Sequence, residues 1–320
     1  MRFSSIFKII ILNIFISKMA HAAVCEERYP PDSEECQYVQ ELEQKAEQGD
    51  ESAQFSLGSW YAEGRYVKPD YKLAIKWLEK AGKQGSDFSY FILGYHYNYG
   101  ENFPLSRQKA LEWYRKAAEL GDSSTQEILG DAYMYGDGFP QNTQLALAWY
   151  RKAARQGLPA AQTHLGIMSA FGRGVAQSDR QAIAWYRKAA KQDFAKAQYQ
   201  LGVAYSTGRG VPENSRNALK WYLKAAEQGF TPAQSALGEI YAHGRQGVPK
   251  DNKQAYIWYY MASIYTEKSK DDCSALIAER NRLKGTLTPD QLSETYAAFD
   301  LIRRKINQSK EAKKIARKKY

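Results

Sequence analysis

Apolar and polar positions follow two nested periods along most of this chain. Over short stretches apolar residues return every three or four positions, as in Ala53, Leu57 and Tyr61 or Ala74, Trp77 and Ala81, which predicts helices with one buried face. The whole pattern then returns after 36 residues. Leu57, Leu93, Leu129, Leu165, Leu201 and Leu237 keep that step, each followed by glycine. Trp77, Trp113, Trp149, Trp185, Trp221 and Trp258 keep it too, until one extra residue near Gln246 lengthens the last interval. A period of this size predicts stacked two-helix units, none of which buries its apolar face without its neighbours.

Local punctuation places the helix ends. Gly64, Gly100, Gly136, Gly172, Gly208 and Gly244 suit the left-handed residue that closes the first helix of a unit. Asp70, Ser106, Asn142, Ser178, Asn214 and Asp251 stand where the second helix needs an N-cap. Gly85, Gly121, Gly157 and Gly229 end it, with Asp193 as a substitute able to reach the same backbone region. The glycine after each leucine costs about 1 kcal/mol against alanine inside a helix. Six such glycines predict close helix approach, with the tryptophan of the second helix expected to fill the space. The leucines and tryptophans are therefore read as structural core.

The run Ala197-Gln198, Leu201-Gly202, Tyr205, Gly208-Arg209-Gly210-Val211, Ala218, Trp221-Tyr222 and Lys224-Ala225-Ala226 resembles the Sel-1-like repeat, a relative of the tetratricopeptide repeat. The resemblance covers six units, residues 51–266, and implies an all-α fold, a right-handed α-solenoid of helix-turn-helix repeats. In the second unit Asn102-Phe103 replaces Gly-Val, so a differently shaped turn is expected there. Around the repeats the chain divides into a signal peptide (1–22), a leader and half-repeat capping helix (23–50), capping helices (267–307) and a basic tail (308–320) expected to fray. In the half-repeat Glu41 stands in the tryptophan position, as suits the polar outer face of a cap.

The signal-peptide reading rests on Arg2 and Lys8, the apolar run Ile9 to Ile16, and Ala20-His21-Ala22 as a small-x-small cleavage site. A run of eight residues falls short of the roughly 20 that span a bilayer. The expected location is thus periplasmic or secreted, with no transmembrane segment after cleavage. Cys25 and Cys36 are a candidate disulfide pair near the mature N-terminus, with Cys273 left over; the sequence leaves the bond open. The four histidines are scattered, with no ligand spacing beside a cysteine, so neither metal nor cofactor is expected.

The formal net charge is +10, but Arg303 to Tyr320 alone hold nine lysines and arginines against one glutamate. With the signal peptide removed, residues 23–302 carry −1. A nucleic-acid partner is therefore not expected, and the basic tail is a candidate contact to an anionic surface such as lipid headgroups.

In tetratricopeptide arrays the first helix lines the concave groove, and the resemblance carries that role to particular positions. It assigns Phe55 and Ser59 in unit one, Phe91, Tyr95, Asn98 and Tyr99 in unit two, and Glu127, Asp131, Met134 and Tyr135 in unit three. Ile167 and Phe171 follow in unit four and Tyr199 in unit five. Aromatic anchors beside orienting polar groups suit a protein or peptide partner. The competing reading is that several of these rings only pack between adjacent first helices. The resulting expectation is a non-catalytic interaction scaffold, acting in envelope regulation or host interaction. The alternative is an envelope enzyme or cell-wall-binding factor, by analogy with cysteine-rich Sel-1-like proteins labelled β-lactamases. Those pair two cysteines in each repeat, and residues 51–266 contain none. Ser106 and Lys109 have the Ser-x-x-Lys spacing of penicillin-recognising enzymes, but Ser106 belongs to the N-cap series and no Lys-Thr-Gly follows.

Overall fold

Every second helix of a repeat starts where a short polar side chain folds back on its own backbone. Asp70, Ser106, Asn142, Ser178 and Asn214 accept hydrogen bonds from N–H groups two or three residues on, and Asp251 accepts from the Gln254 N–H. At the other punctuation point Gly64, Gly100, Gly136, Gly172 and Gly208 end the first helices at φ between 67° and 75°. Asp193 takes φ 55°, as its place in the glycine series predicts.

The structure is a computed structural model that describes residues 29–30, 33–245, 247–266 and 274–318. The signal segment, most of the leader, Cys25 and Cys273 lie outside the described residues. The helices run α1 (Glu34–Glu47), α2 (Glu51–Glu63), α3 (Tyr71–Lys83), α4 (Asp87–Tyr99), α5 (Arg107–Leu120), α6 (Ser123–Tyr135), α7 (Thr143–Arg155) and α8 (Pro159–Phe171). They continue as α9 (Asp179–Ala190), α10 (Ala195–Thr207), α11 (Ser215–Ala226), α12 (Thr231–His243), α13 (Asn252–Thr266), α14 (Ser274–Lys284) and α15 (Pro289–Lys318). From α2 to α13 they form six helix-turn-helix repeats. The chain divides into two compact units, residues 1–156 and 157–320.

In both units the core repeats with the sequence. All six repeat leucines are buried. The glycine beside each leucine meets a ring, but not that of tryptophan. A Cβ on Gly94, Gly130 or Gly166 would lie 2.4 Å from the ring of Tyr114, Tyr150 or Tyr186, the residue after the tryptophan. Leu78 and Tyr259 fill the same place opposite Gly58 and Gly238. The expected tryptophan–glycine packing is corrected accordingly. Trp77 and Trp258 are buried, whereas Trp113, Trp149, Trp185 and Trp221 are half-buried, one helical step round from the packed face.

Buried amides also tie the two helices of a repeat to each other and, through the Ala46 and Ala118 carbonyls, to the preceding unit. Gln54 donates to the Ala46 carbonyl at 2.9 Å and accepts from Gln84 at 2.8 Å. Gln126 does the same with Ala118 and Gln156, while Gln162 and Gln198 accept from Gln192 and Gln228. The second repeat replaces this pair by Tyr90 and Leu120, and Gly82 leaves the room that the Tyr90 ring fills.

Two further expectations change. Asn102 adopts φ 58°, matching Gly138 at 77° and Gly174 at 71°, so the second turn keeps the common shape because asparagine tolerates that region. The C-terminal segment does not fray at Asn307; α15 continues to Lys318, since residues 309–318 contain neither glycine nor proline and are mostly good helix formers. Within residues 157–320, α14 and α15 pack on α13, where Phe299 stacks on Tyr260 at 4.1 Å and Leu283 and Ile306 are fully buried.

Candidate binding surface

In residues 1–156 the first helices α2, α4 and α6 present a run of rings. Phe55 and Phe91 are half-buried on either side of Phe88, at centroid distances of 5.7 Å each. Further along α4, Tyr95 and Tyr99 are exposed and 4.6 Å apart. On α6, Tyr135 is 65% exposed, which on a folded surface leaves most of its ring for a partner. Phe88, itself 55% exposed, was not among the predicted residues. Its position holds serine, alanine, lysine or proline in the other repeats, so the period gives it no signal.

The polar members of the set are already held. Asn98 Oδ1 accepts from Arg107 at 2.8 Å, and the Arg107 guanidinium pairs with Asp137 at 2.7 Å. Asp131 accepts from the hydroxyl of fully buried Tyr150 at 2.5 Å. Burial, reinforced by that bond, pushes the Tyr150 hydroxyl well above the ordinary phenol range, so it stays a donor and fixes the carboxylate. Glu127 is half-buried on the same helix. Met134 is a correction: it is 7% exposed and packs inward, because its place on α6 follows buried Tyr133 and not exposed Tyr135. Ser59 is buried as well.

In residues 157–320 the assigned positions behave differently. Ile167 packs against the core cluster around Tyr186 and Leu201. Tyr199 lies 5.4 Å from Phe230 and 5.7 Å from Tyr222, so its ring fills the space between helices. Phe171 is exposed, flanked by Arg173 and Arg209, and borders a recess of about 70 Å³ with Ile183, Val203 and Ala204.

Charge is sorted by helix, a feature hidden in the near-zero total of residues 23–302. In residues 51–155 the first helices carry five acids and neither lysine nor arginine, while the second helices α3, α5 and α7 carry eleven lysines and arginines against three glutamates. Counting charges helix by helix would have found this. Ser106 Oγ caps the Lys109 N–H at 3.4 Å, the role shared by its whole series. Cys36 is disulfide-bonded, and its partner falls outside the described residues. Among the described residues no helix is long and apolar enough to cross a membrane.

Repeated helical hairpins, buried leucines at constant step and an exposed lining on the first helices define a tandem-repeat protein of the α-solenoid class. The chain belongs to the Sel1-repeat family: the family model for the Sel1 repeat matches residues 51–86, 88–122, 123–158, 159–194, 195–230 and 231–263. Among solved structures, it is similar to a protective antigen of uropathogenic Escherichia coli displaying an SLR fold, with 35% identity and a TM-score of 0.69. That match covers 84% of this chain but 56% of the antigen, so the chain spans little more than half of that relative. A Sel1 repeat protein from Oxalobacter formigenes is also 35% identical, with a TM-score of 0.59 over 68% of this chain and 89% of that one. No curated protein matches the chain. Sel1-repeat proteins are in general non-catalytic scaffolds that bind protein partners.

Proposed function

We propose that the chain is an exported, non-catalytic scaffold whose first-helix face in residues 51–135 holds a peptide segment of a protein partner. The observation that carries this reading is the line of rings Phe88, Tyr95, Tyr99 and Tyr135, exposed beside fixed Asn98 and Asp131. Large rigid rings supply contact area at low entropic cost and are over-represented among residues that dominate binding energy. The acid-only charge of these helices favours a partner segment that mixes apolar and basic residues. Export is supported by the signal-like N-terminus and by the disulfide at Cys36, since such bonds persist in oxidising compartments. The basic tail, residues 308–320, is a candidate second contact to an anionic surface.

A photo-crosslinker placed at Tyr99 in the native organism tests both parts of the proposal. The expected product is one adduct, recovered from the envelope or medium on a chain beginning at Ala23 and lost when Phe91 and Tyr95 are changed to alanine. An adduct that survives those changes, with helicity intact, overturns the placement of the site. A chain recovered from the cytoplasm with residues 1–22 attached overturns export.

A further inference from the structure

The face of residues 71–155 made by the second helices is as strongly charged as the ring-bearing face, with the opposite sign. Helices α3, α5 and α7 together carry +8, and each keeps alanines and large apolar residues on its packed side, so most of the cations fall on the outer side, Arg107 and Arg115 reaching Asn98 and Tyr133 on first helices instead. Lys72, Lys76, Lys80, Lys109, Arg151 and Arg155 are exposed there. Lys116 reaches Glu79 at 3.6 Å, which places α3 and α5 side by side on this face.

Interleaved with the cations are tryptophans, Trp77 buried and Trp113 and Trp149 half-buried, each covered by an ammonium group. Lys80 lies 4.4 Å from the Trp77 ring, Lys116 lies 3.9 Å from Trp113 and Lys152 lies 4.0 Å from Trp149. Leu120 and Leu145 are 46% and 42% exposed on α5 and α7. We propose that this face lies against an anionic phospholipid bilayer, leaving the ring-bearing face free for the protein partner.

Lysine and arginine clusters bearing amphipathic tryptophan and leucine side chains match a surface where phosphate charge overlies hydrocarbon. A single-stranded nucleic acid fits less well, because its bases stack on open aromatic faces. Here the Trp77 ring is buried, those of Trp113 and Trp149 are half-buried, and all three already carry lysine.

The test is co-sedimentation of the full chain with phosphatidylglycerol vesicles and with phosphatidylcholine vesicles. Binding to the first, absent from the second and lost at high salt, is expected. The triple variant Lys72→Glu, Arg151→Glu, Arg155→Glu should bind on the order of a hundredfold more weakly. Lys313→Glu, Lys314→Glu, Lys318→Glu makes the same change in net charge on the tail and should cost much less. If the first variant loses helicity, the glutamine version of the same three positions replaces it. Equal loss from the tail variant, undiminished binding by the helix variant, equal binding to neutral vesicles, or a preference for single-stranded DNA over the vesicles would each overturn the proposal.

Discussion

Residues 34–155 and 159–266 are built from the same hairpin, yet they spend their exposed positions differently. The first helices of the earlier unit begin at Asp50, Ser86 and Asp122, of which Asp50 and Asp122 cap by side-chain hydrogen bonds. Those of the later unit begin at Leu158, Phe194 and Phe230, which offer no such bond; Phe194 and Phe230 pack against neighbouring rings or core instead. The earlier unit also separates its charge by helix, whereas α8, α10 and α12 carry one lysine and one glutamate in all. Exposed rings follow the same division, with Phe88, Tyr95, Tyr99 and Tyr135 on one side of the comparison and Phe171 on the other. The buried positions barely differ. Function should therefore be sought where the repeats diverge, on the surface of residues 51–155.

The shared core is the baseline of that comparison, and breaking it should give the largest effect. Tyr150→Ala and Tyr186→Ala each remove a buried ring seated on a repeat glycine and should cost about 3 to 5 kcal/mol by denaturant unfolding. Trp149→Ala, next in the chain but half-buried, should cost less. A larger loss at Trp149 than at Tyr150 would contradict the assignment of tyrosine to the glycine contact.

How much of this was legible in the sequence depends on the kind of position. The repeat boundaries, caps and buried leucines were readable because the period superimposes six copies of one local chemistry. The choice between tryptophan and tyrosine was not, since adjacent residues on a helix point only about 100° apart and both are large apolar candidates. Met134 failed for the same reason, one step from exposed Tyr135. Phe88 lies outside the period altogether, because it is a departure from the repeat; the basic outer face lies within it, since Lys80, Lys116, Lys152, Lys188 and Lys224 keep the 36-residue step, but a charge summed over the whole chain hides it.

Acid should separate the two units next. His96 is buried at a position occupied by Met168, Ala204 and Ile240 in the later repeats, and it stacks on Phe103 at 5.0 Å. Burial lowers its pKa from 6.5, against a bond to the Glu101 backbone and the charges of Glu63 and Glu101. The folded chain thus binds fewer protons than the unfolded chain as pH falls through 6.5, so stability drops on acidification. His96→Met should flatten the pH dependence of unfolding between neutrality and pH 5. An unchanged slope would show that folding does not shift the protonation of this histidine.

The smallest effect should come from an ion pair that the two units write in opposite order. Arg107 at the start of α5 pairs with Asp137 in the next turn, while Asp179 at the start of α9 pairs with Arg209, and each residue occupies its counterpart's place in the repeat. All four side chains are at least one-third exposed, so either pair is worth about 1 kcal/mol at most. Arg107→Asp alone sets two carboxylates together and gives up the bond to Asn98, so it should destabilise. Adding Asp137→Arg restores the pair in the reversed order, with the acid already placed by Arg107→Asp at a helix N-terminus, where the backbone dipole favours it by about 0.3 to 1 kcal/mol. The double variant should therefore recover most of the loss, and a double-mutant cycle in urea measures that recovery. Additive losses would mean that the turn of residues 136–142 is tuned to arginine at position 107, and that the two units are not interchangeable even where their geometry is.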